Sequence, residues 1–266
     1  MKEVKEAIYN LKNDQTHGAS YLALEAVRIL KKAALLLPAA DNISFLQSMN
    51  HLSEDIKTIR PSMVSIYNLV SSYTAELNRE ENTSLSLPDL RLKAAAIADS
   101  IINQVLTRQK QTIQKGSQLV KDKSTLITCS YSSTIIEIIK SAYRQGRRFA
   151  VLIARSHPPG SSYAYGERAA RKIDLPLNIK IIPDDCINLY LPQADYVLLG
   201  ADTVLRDGSV INGYPSLELA REAFNHRIPC YVICETHKIA GEHFIPHLEA
   251  GFDLIPASFI TQIITG

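Results

Sequence analysis

Residues Tyr196–Asn212 read YVLLGADTVLRDGSVIN. The first four are apolar without alternation, as in a strand buried on both faces, and the run ends in two small residues and the carboxylate of Asp202. Asp207-Gly208, set between the short apolar arms TVL and SVI, is a hairpin signal. Outward from this stretch the same texture recurs: TLIT (125–128), FAVLIA (149–154) and LNIKII (177–182) precede it, and CYVIC (230–234) and FDLI (252–255) follow. Helical spacing fills the gaps over Thr134–Tyr143, Tyr163–Ile173 and Ser216–Asn225, which implies βαβ units and a doubly wound parallel sheet. In such sheets ligands bind beyond the carboxyl ends of the strands, where Asp202 is expected to be placed to move protons or to cap its own turn.

Upstream of about residue 118 the period changes. Tyr21, Leu24, Val27 and Leu30, and later Leu92, Ala95, Ile97, Ile101 and Val105, recur at helical spacing. Thr, Ser and Pro between Asn82 and Pro88 interrupt the pattern before a long helix of roughly 25 residues beginning near Asp89. The expected organisation is therefore a helical domain over 1–118 that ends in a long linking helix, followed by an α/β domain over 119–266.

Composition narrows the partners. Of 266 residues 46% are apolar, enough for a sizeable core, and 29 Lys plus Arg against 27 Asp plus Glu leave a net charge of only +2. That balance provides no field for capturing nucleic acid or an anionic membrane, and the cluster Arg144, Arg147, Arg148 complements the C-terminal dipole of the helix before it. Cys129, Cys186, Cys230 and Cys234 form no CxxC pair or zinc-like spacing, so no metal or cofactor is expected and a reducing, cytoplasmic setting fits. The N-terminal MKEVKEAIYNL is amphipathic, unlike a signal peptide, and no run approaches the roughly 20 apolar residues of a membrane span.

Three segments carry candidate anion chemistry. Thr128-Cys129-Ser130-Tyr131-Ser132-Ser133-Thr134 places hydroxyls and backbone N–H groups at a helix start, where Ser132 and Ser133 are candidates for anion binding or for simple N-capping. Arg60-Pro61-Ser62 precedes an apolar helical run; Pro61 is expected in the first turn, with Arg60 beside it able to fork onto a phosphate. Thr16-His17-Gly18-Ala19-Ser20 opens another helix, with Gly18 permitting close backbone approach.

Together these segments resemble the family containing methylthioribose-1-phosphate isomerase, ribose 1,5-bisphosphate isomerase and the alpha, beta and delta subunits of initiation factor two-B. The strongest match is GADTVLRDGSVIN at Gly200–Asn212, followed by the helix around Leu217–Ala223, CYVICETHKI and FDLIPASFITQIIT. HGAS at His17 is similar to the family's Arg-Gly-Ala motif, and IRPSMVS at Ile59 to its Arg-Pro-Thr-Ala-Val segment. The resemblance implies a helical N-terminal domain, a Rossmann-like C-terminal domain, an interdomain pocket for a phosphorylated sugar, and a homodimer. It also implies proton transfer by a cysteine after the first strand and by the aspartate matched by Asp202. Register places Ser130 at the cysteine's position, while Cys129, one residue earlier, is expected on the opposite face of the strand. His17, Arg155, His157 and the Gly213 that follows Asn212 also depart from the family's pattern, whereas Arg60 and Lys238 keep it.

The candidate catalytic residues are thus Asp202, Ser130 and Cys129. The candidate ligand residues are His17, Gly18, Ala19, Arg60, Ser132, Ser133, Arg155, His157, Asn212 and Lys238. The leading expectation is a sensor or regulatory subunit that binds a phosphorylated sugar or nucleotide; the alternative is an aldose–ketose isomerase acting on a sugar 1-phosphate. A third reading is an exchange-factor-like interaction protein with a vestigial pocket, and a role in translation rests on the resemblance alone.

Overall fold

Amphipathic periodicity becomes helix in the first part of the chain, and continuous apolar runs become strands in the second. A computed structural model describes residues 2–266, apart from the side chain of Thr83. The chain divides into two compact units, Met1–Thr107 with His243–Pro246, and Arg108–Glu242 with His247–Gly266.

The first unit holds α1 (Lys2–Asn13), α2 (Ala19–Leu36), α3 (Asn42–Lys57), α4 (Val64–Leu77), the one-turn α5 (Glu80–Thr83) and the start of α6 (Leu87–Leu119). Helix α2 is its centre: Leu22, Ala23, Ala26, Val27, Leu30, Ala33 and Ala34 are buried, and the small side chains of the four alanines suit close packing against α4. It stops before Pro38, and Arg91 of α6 donates to the carbonyls of Ala34 and Leu37 at 2.9 and 2.6 Å, satisfying groups the helix end leaves open. Asp41 and Ser44 form a capping box at the start of α3. The break expected at Asn82 has a structural cause: the buried Asn82 amide donates to the Glu76 and Leu77 carbonyls at 2.9 and 3.0 Å, closing α4. At 33 residues, α6 is longer than its period alone implied and begins two residues earlier.

The second unit is a six-stranded parallel sheet in the order β3-β2-β1-β4-β7-β9, with a separate three-stranded antiparallel sheet β5-β6-β8. The strands are β1 (Thr125–Thr128), β2 (Ala150–Ala154), β3 (Asn178–Ile182), β4 (Tyr196–Leu199), β5 (Thr203–Val204), β6 (Val210–Gly213), β7 (Cys230–Cys234), β8 (Phe252–Ile255) and β9 (Gln262–Thr265). Between them run α7 (Ser133–Arg144), α8 (Tyr165–Ile173), the short α9 (Ile187–Tyr190) and α10 (Ser216–Asn225). Alternation sorts the core into two layers. Leu126, Val151, Ile153, Tyr196 and Leu198 face α7 and α8, while Ile127, Leu152, Val197, Leu199 and Val232 face α9 and α10. Helices therefore cover both faces, and the sheet is doubly wound.

Two sequence expectations need correction. FDLI does not extend the parallel sheet: it pairs antiparallel with β6, and the sixth parallel strand is QIIT at β9. LNIKII is not buried on both faces, because β3 is an edge strand with Ile181 exposed. The Asp207-Gly208 hairpin forms between β5 and β6, with Gly208 at φ +82°. No helix among the described residues is long and apolar enough to cross a membrane.

Candidate active site

The parallel sheet reverses its winding at β1, which has β2 on one side and β4 on the other. That is the switch point of a doubly wound sheet, and the chain leaving the carboxyl ends of β1 and β4 supplies Ser130–Ser133 and Gly200–Asp202. The two loops touch. A β-carbon placed on Gly200 would fall 2.5 Å from Ser132 Oγ, so glycine is required for the approach. Ser132 is the N-cap of α7, its hydroxyl accepting from the Ile135 N–H at 3.3 Å, and Ser133 is the first residue of that helix. The helix start contributes a partial positive charge beside the Asp202 loop.

Asp202 begins the β5–β6 hairpin, its N–H donating to the Ile211 carbonyl at 2.9 Å, and its side chain is half-buried. Lys238 lies on the turn after β7, which the Val204–Ile239 bridge ties to β5. Lys238 is buried and pairs with the fully buried Glu235 at 3.3 Å; Thr134 of α7 donates to the same carboxylate at 2.8 Å. Burial alone would discharge Lys238, but the Glu235 and Asp202 carboxylates outweigh it and hold the ammonium above its ordinary range. Burial likewise pushes Glu235 up, yet Lys238, His237 and the Thr134 hydroxyl prevail and hold it at about 2. A buried lysine whose charged form is favoured by Glu235 and Asp202 thus lies at the carboxyl edge.

Cys129 is corrected from a candidate catalyst to a core residue. Its Sγ is buried 3.3 Å from Ser216 Oγ. Ser216 donates its single hydroxyl proton to the Gly213 carbonyl and accepts from the Asn212 amide at 2.7 Å. The remaining interaction requires the Cys129 thiol to be the donor, and so to be protonated. Burial pushes this thiol far above the ordinary cysteine range, only partly opposed by Ser216. Asn212 is buried in the same network.

Ser130, by contrast, is half-buried and left-handed, with φ +61°. Its N–H donates to Ser156 Oγ at 2.7 Å, and its own hydroxyl forms no hydrogen bond among the described residues. A β-carbon on Gly213 would collide with Ser130 Oγ, so the glycine leaves room for that hydroxyl. Ser156 is fully buried and also left-handed, at φ +56°. Asp184 accepts from the N–H groups of Ser156 and His157 at 2.7 and 2.8 Å. A left-handed L-residue costs about 1–2 kcal/mol, and hydrogen bonds to a charged acceptor return about 1.5–3 kcal/mol each. The balance favours this geometry.

The side chains of Arg155 and His157 are turned to internal partners. Arg155 Nε donates to Glu167 at 2.8 Å, and His157 Nε2 lies 2.7 Å from the Ser161 carbonyl. In the helical unit the two expected anion segments do meet. Asp14 accepts from the Thr16 and His17 N–H groups and from Thr16 Oγ1, and sits 2.7 Å from His17 Nδ1. Burial pushes its carboxyl up, but the His17 and Thr16 contacts outweigh this and hold it at about 2. Arg60 donates to the Asp14 carbonyl at 2.9 Å. Pro61 is not in the first turn of α4, as expected; Met63 is the N-cap and Arg60–Met63 forms a separate turn. Gly18 is the N-cap of α2 at φ −81°, a conformation open to any residue, and Ala19 is the first helical residue and is buried.

Sequence reasoning missed Glu235, Ser156 and Asp184. Glu235 had a signal, a carboxylate three residues before Lys238 at a strand end. Ser156 and Asp184 had none, because their contacts span 26 and 28 residues.

Fold and site define a two-unit α/β protein with a carboxylate–ammonium cluster at the switch point of a doubly wound sheet. A profile of the initiation factor 2 subunit family matches residues 15–245, and the chain belongs to that family. It is 29% identical over 279 residues to a Pyrococcus furiosus protein described as translation initiation factor eIF-2B subunit 2-like, covering 99% of this chain and 95% of that one. It is 28% identical over 240 residues to ribose 1,5-bisphosphate isomerase of Archaeoglobus fulgidus, covering 90% and 73%. The crystal structure of Pyrococcus horikoshii translation initiation factor eIF-2B superposes with a TM-score of 0.83 at 25% identity, over 100% of this chain and 95% of that one.

Proposed function

We propose that the protein is an aldose–ketose isomerase acting on a phosphorylated sugar, with ribose 1,5-bisphosphate as the first substrate to test. The observation that carries this reading is Asp202 at the switch point, in the field of the protonated Lys238 and beside the start of α7. The 28% identity to ribose 1,5-bisphosphate isomerase supports it and reverses the order of the two leading expectations from sequence. The chemistry needs only proton movement. The ring oxygen gains a proton as the ring opens, the hydrogen on C2 moves to C1, and the C2 hydroxyl gives up its proton to become the ketone. Asp202 is the base for C2, and the α7 start is suited to a phosphate. Ser130 offers a hydroxyl to the reacting oxygens.

Incubation with ribose 1,5-bisphosphate, followed by detection of the ketose, tests the reading. Asp202→Asn is expected to lower turnover at least 100-fold with substrate binding retained. Full turnover by Asp202→Asn rejects the role of Asp202, and an absence of ketose from the unaltered chain rejects the function. A second reading, a ligand-binding regulatory protein in translation, is favoured by one observation: no thiol is available at the β1 end, Cys129 being a core donor. Thermal stabilisation by the same sugar phosphate without ketose supports it.

A further inference from the structure

We propose that Ser156, itself held by Asp184, is a positioning residue that fixes Ser130 at the switch point, an inference that rests on the isomerase reading and deepens it. The contacts run in one direction across three strand ends. Asp184, after β3, binds the N–H groups of Ser156 and His157; Ser156, after β2, accepts from the Ser130 N–H and donates to the Ala154 carbonyl at 2.9 Å; Ser130 follows β1. Both serines have left-handed backbone, which glycine would adopt without strain, so a side chain is retained at each position against local preference. For Ser156 the reason is visible, since its Oγ is the acceptor for the Ser130 N–H. For Ser130 the contacts are made by its backbone N–H and by the space opened at Gly213, and its hydroxyl is left over for a ligand.

The arrangement has a chemical consequence. The backbone N–H groups of Ser130, Ser156 and His157 are all consumed by the protein's own acceptors, so none of them is available to cradle an anion. Of these three residues only Ser130 leaves a side-chain hydroxyl for a ligand, a group suited to a sugar oxygen rather than to a phosphate. Phosphate recognition is left to the α7 start and to cationic side chains.

The test is a double-mutant cycle on the intact chain with ribose 1,5-bisphosphate, together with a crystal structure of Ser156→Ala. Ser156→Ala and Ser130→Ala are each expected to lower kcat/KM about tenfold, mainly through kcat, and the double variant is expected to fall within twofold of Ser130→Ala. Multiplying losses, or no loss from Ser156→Ala, overturn the assignment. In the Ser156→Ala crystal Ser130 is expected to leave the left-handed region, and an unchanged φ near +60° overturns the proposal without reference to any ligand. Asp184→Asn, which removes the charge but keeps the shape, provides the same two readouts if Ser156→Ala does not fold. Should the unaltered chain fail to turn over ribose 1,5-bisphosphate, the isomerase reading falls, and the Ser130 conformation alone decides this one.

Discussion

At the scale of single residues, Cys129 and Ser130 show how one step along a strand separates core from site. The Cys129 thiol is a buried donor to Ser216, so Cys129→Ala is expected to destabilise the protein by about 1–2 kcal/mol in urea titration while leaving turnover of ribose 1,5-bisphosphate within twofold. Ser130→Cys places a thiol where the hydroxyl now lies, and a thiol ionises far more readily than an alcohol; turnover is expected to rise at least tenfold. A drop in the same assay would show that the hydroxyl, not general basicity, is what the site uses. The sequence already distinguished these neighbours, because alternate strand residues face opposite ways. It did not show that Ser130 is left-handed, a conformation fixed by Ser156 from another strand.

At the scale of elements, the βαβ rhythm was legible because strands buried on both faces are continuously apolar and helices are not. The helix expected at Ser216–Asn225 has those bounds. FDLI misled because an apolar run carries no information on which strand it pairs with; pairing with β6 uses bonds that only the folded chain brings into reach. Helix α8 supplies a test of packing against propensity. Alanine is favoured over glycine in helices by about 1 kcal/mol, yet a β-carbon on Gly166 would run into the Ala154 carbonyl at the end of β2. A backbone group cannot swing aside as a side-chain tip can. Gly166→Ala is therefore expected to destabilise by about 1–3 kcal/mol, read as a lower midpoint in thermal unfolding; a stabilised variant would mean that α8 stands further from β2.

At the scale of the whole molecule, the buried Glu235–Lys238 cluster ties the folding equilibrium to pH. Burial pushes His237 down, more than the Glu235 carboxylate pulls it back, to about 4. A histidine depressed below its ordinary 6.5 contributes stability fully above that pH and loses it as pH falls towards 4, on the order of 3 kcal/mol. Glu235, held at about 2 against an ordinary 4.5, adds a second loss below pH 4.5. Urea midpoints are expected to decline from pH 6.5 downwards, and His237→Gln is expected to flatten the first stage and to shrink the second, because the His237 charge helps hold Glu235 down. Glu235→Gln, which strands the Lys238 ammonium in the interior, is expected to cost about 3–5 kcal/mol at pH 7, with Lys238→Met in the same chain recovering much of it. The sequence by itself determined the helical and doubly wound halves, the hairpin after Asp202 and the strand ends where chemistry is to be sought, because periodicity and turn residues are local. Only the tertiary structure decided which hydroxyls are spent, which thiol is core and which carboxylate meets Lys238. Those outcomes depend on partners brought together across separate strands, and a distance between strands is not written in the order of residues.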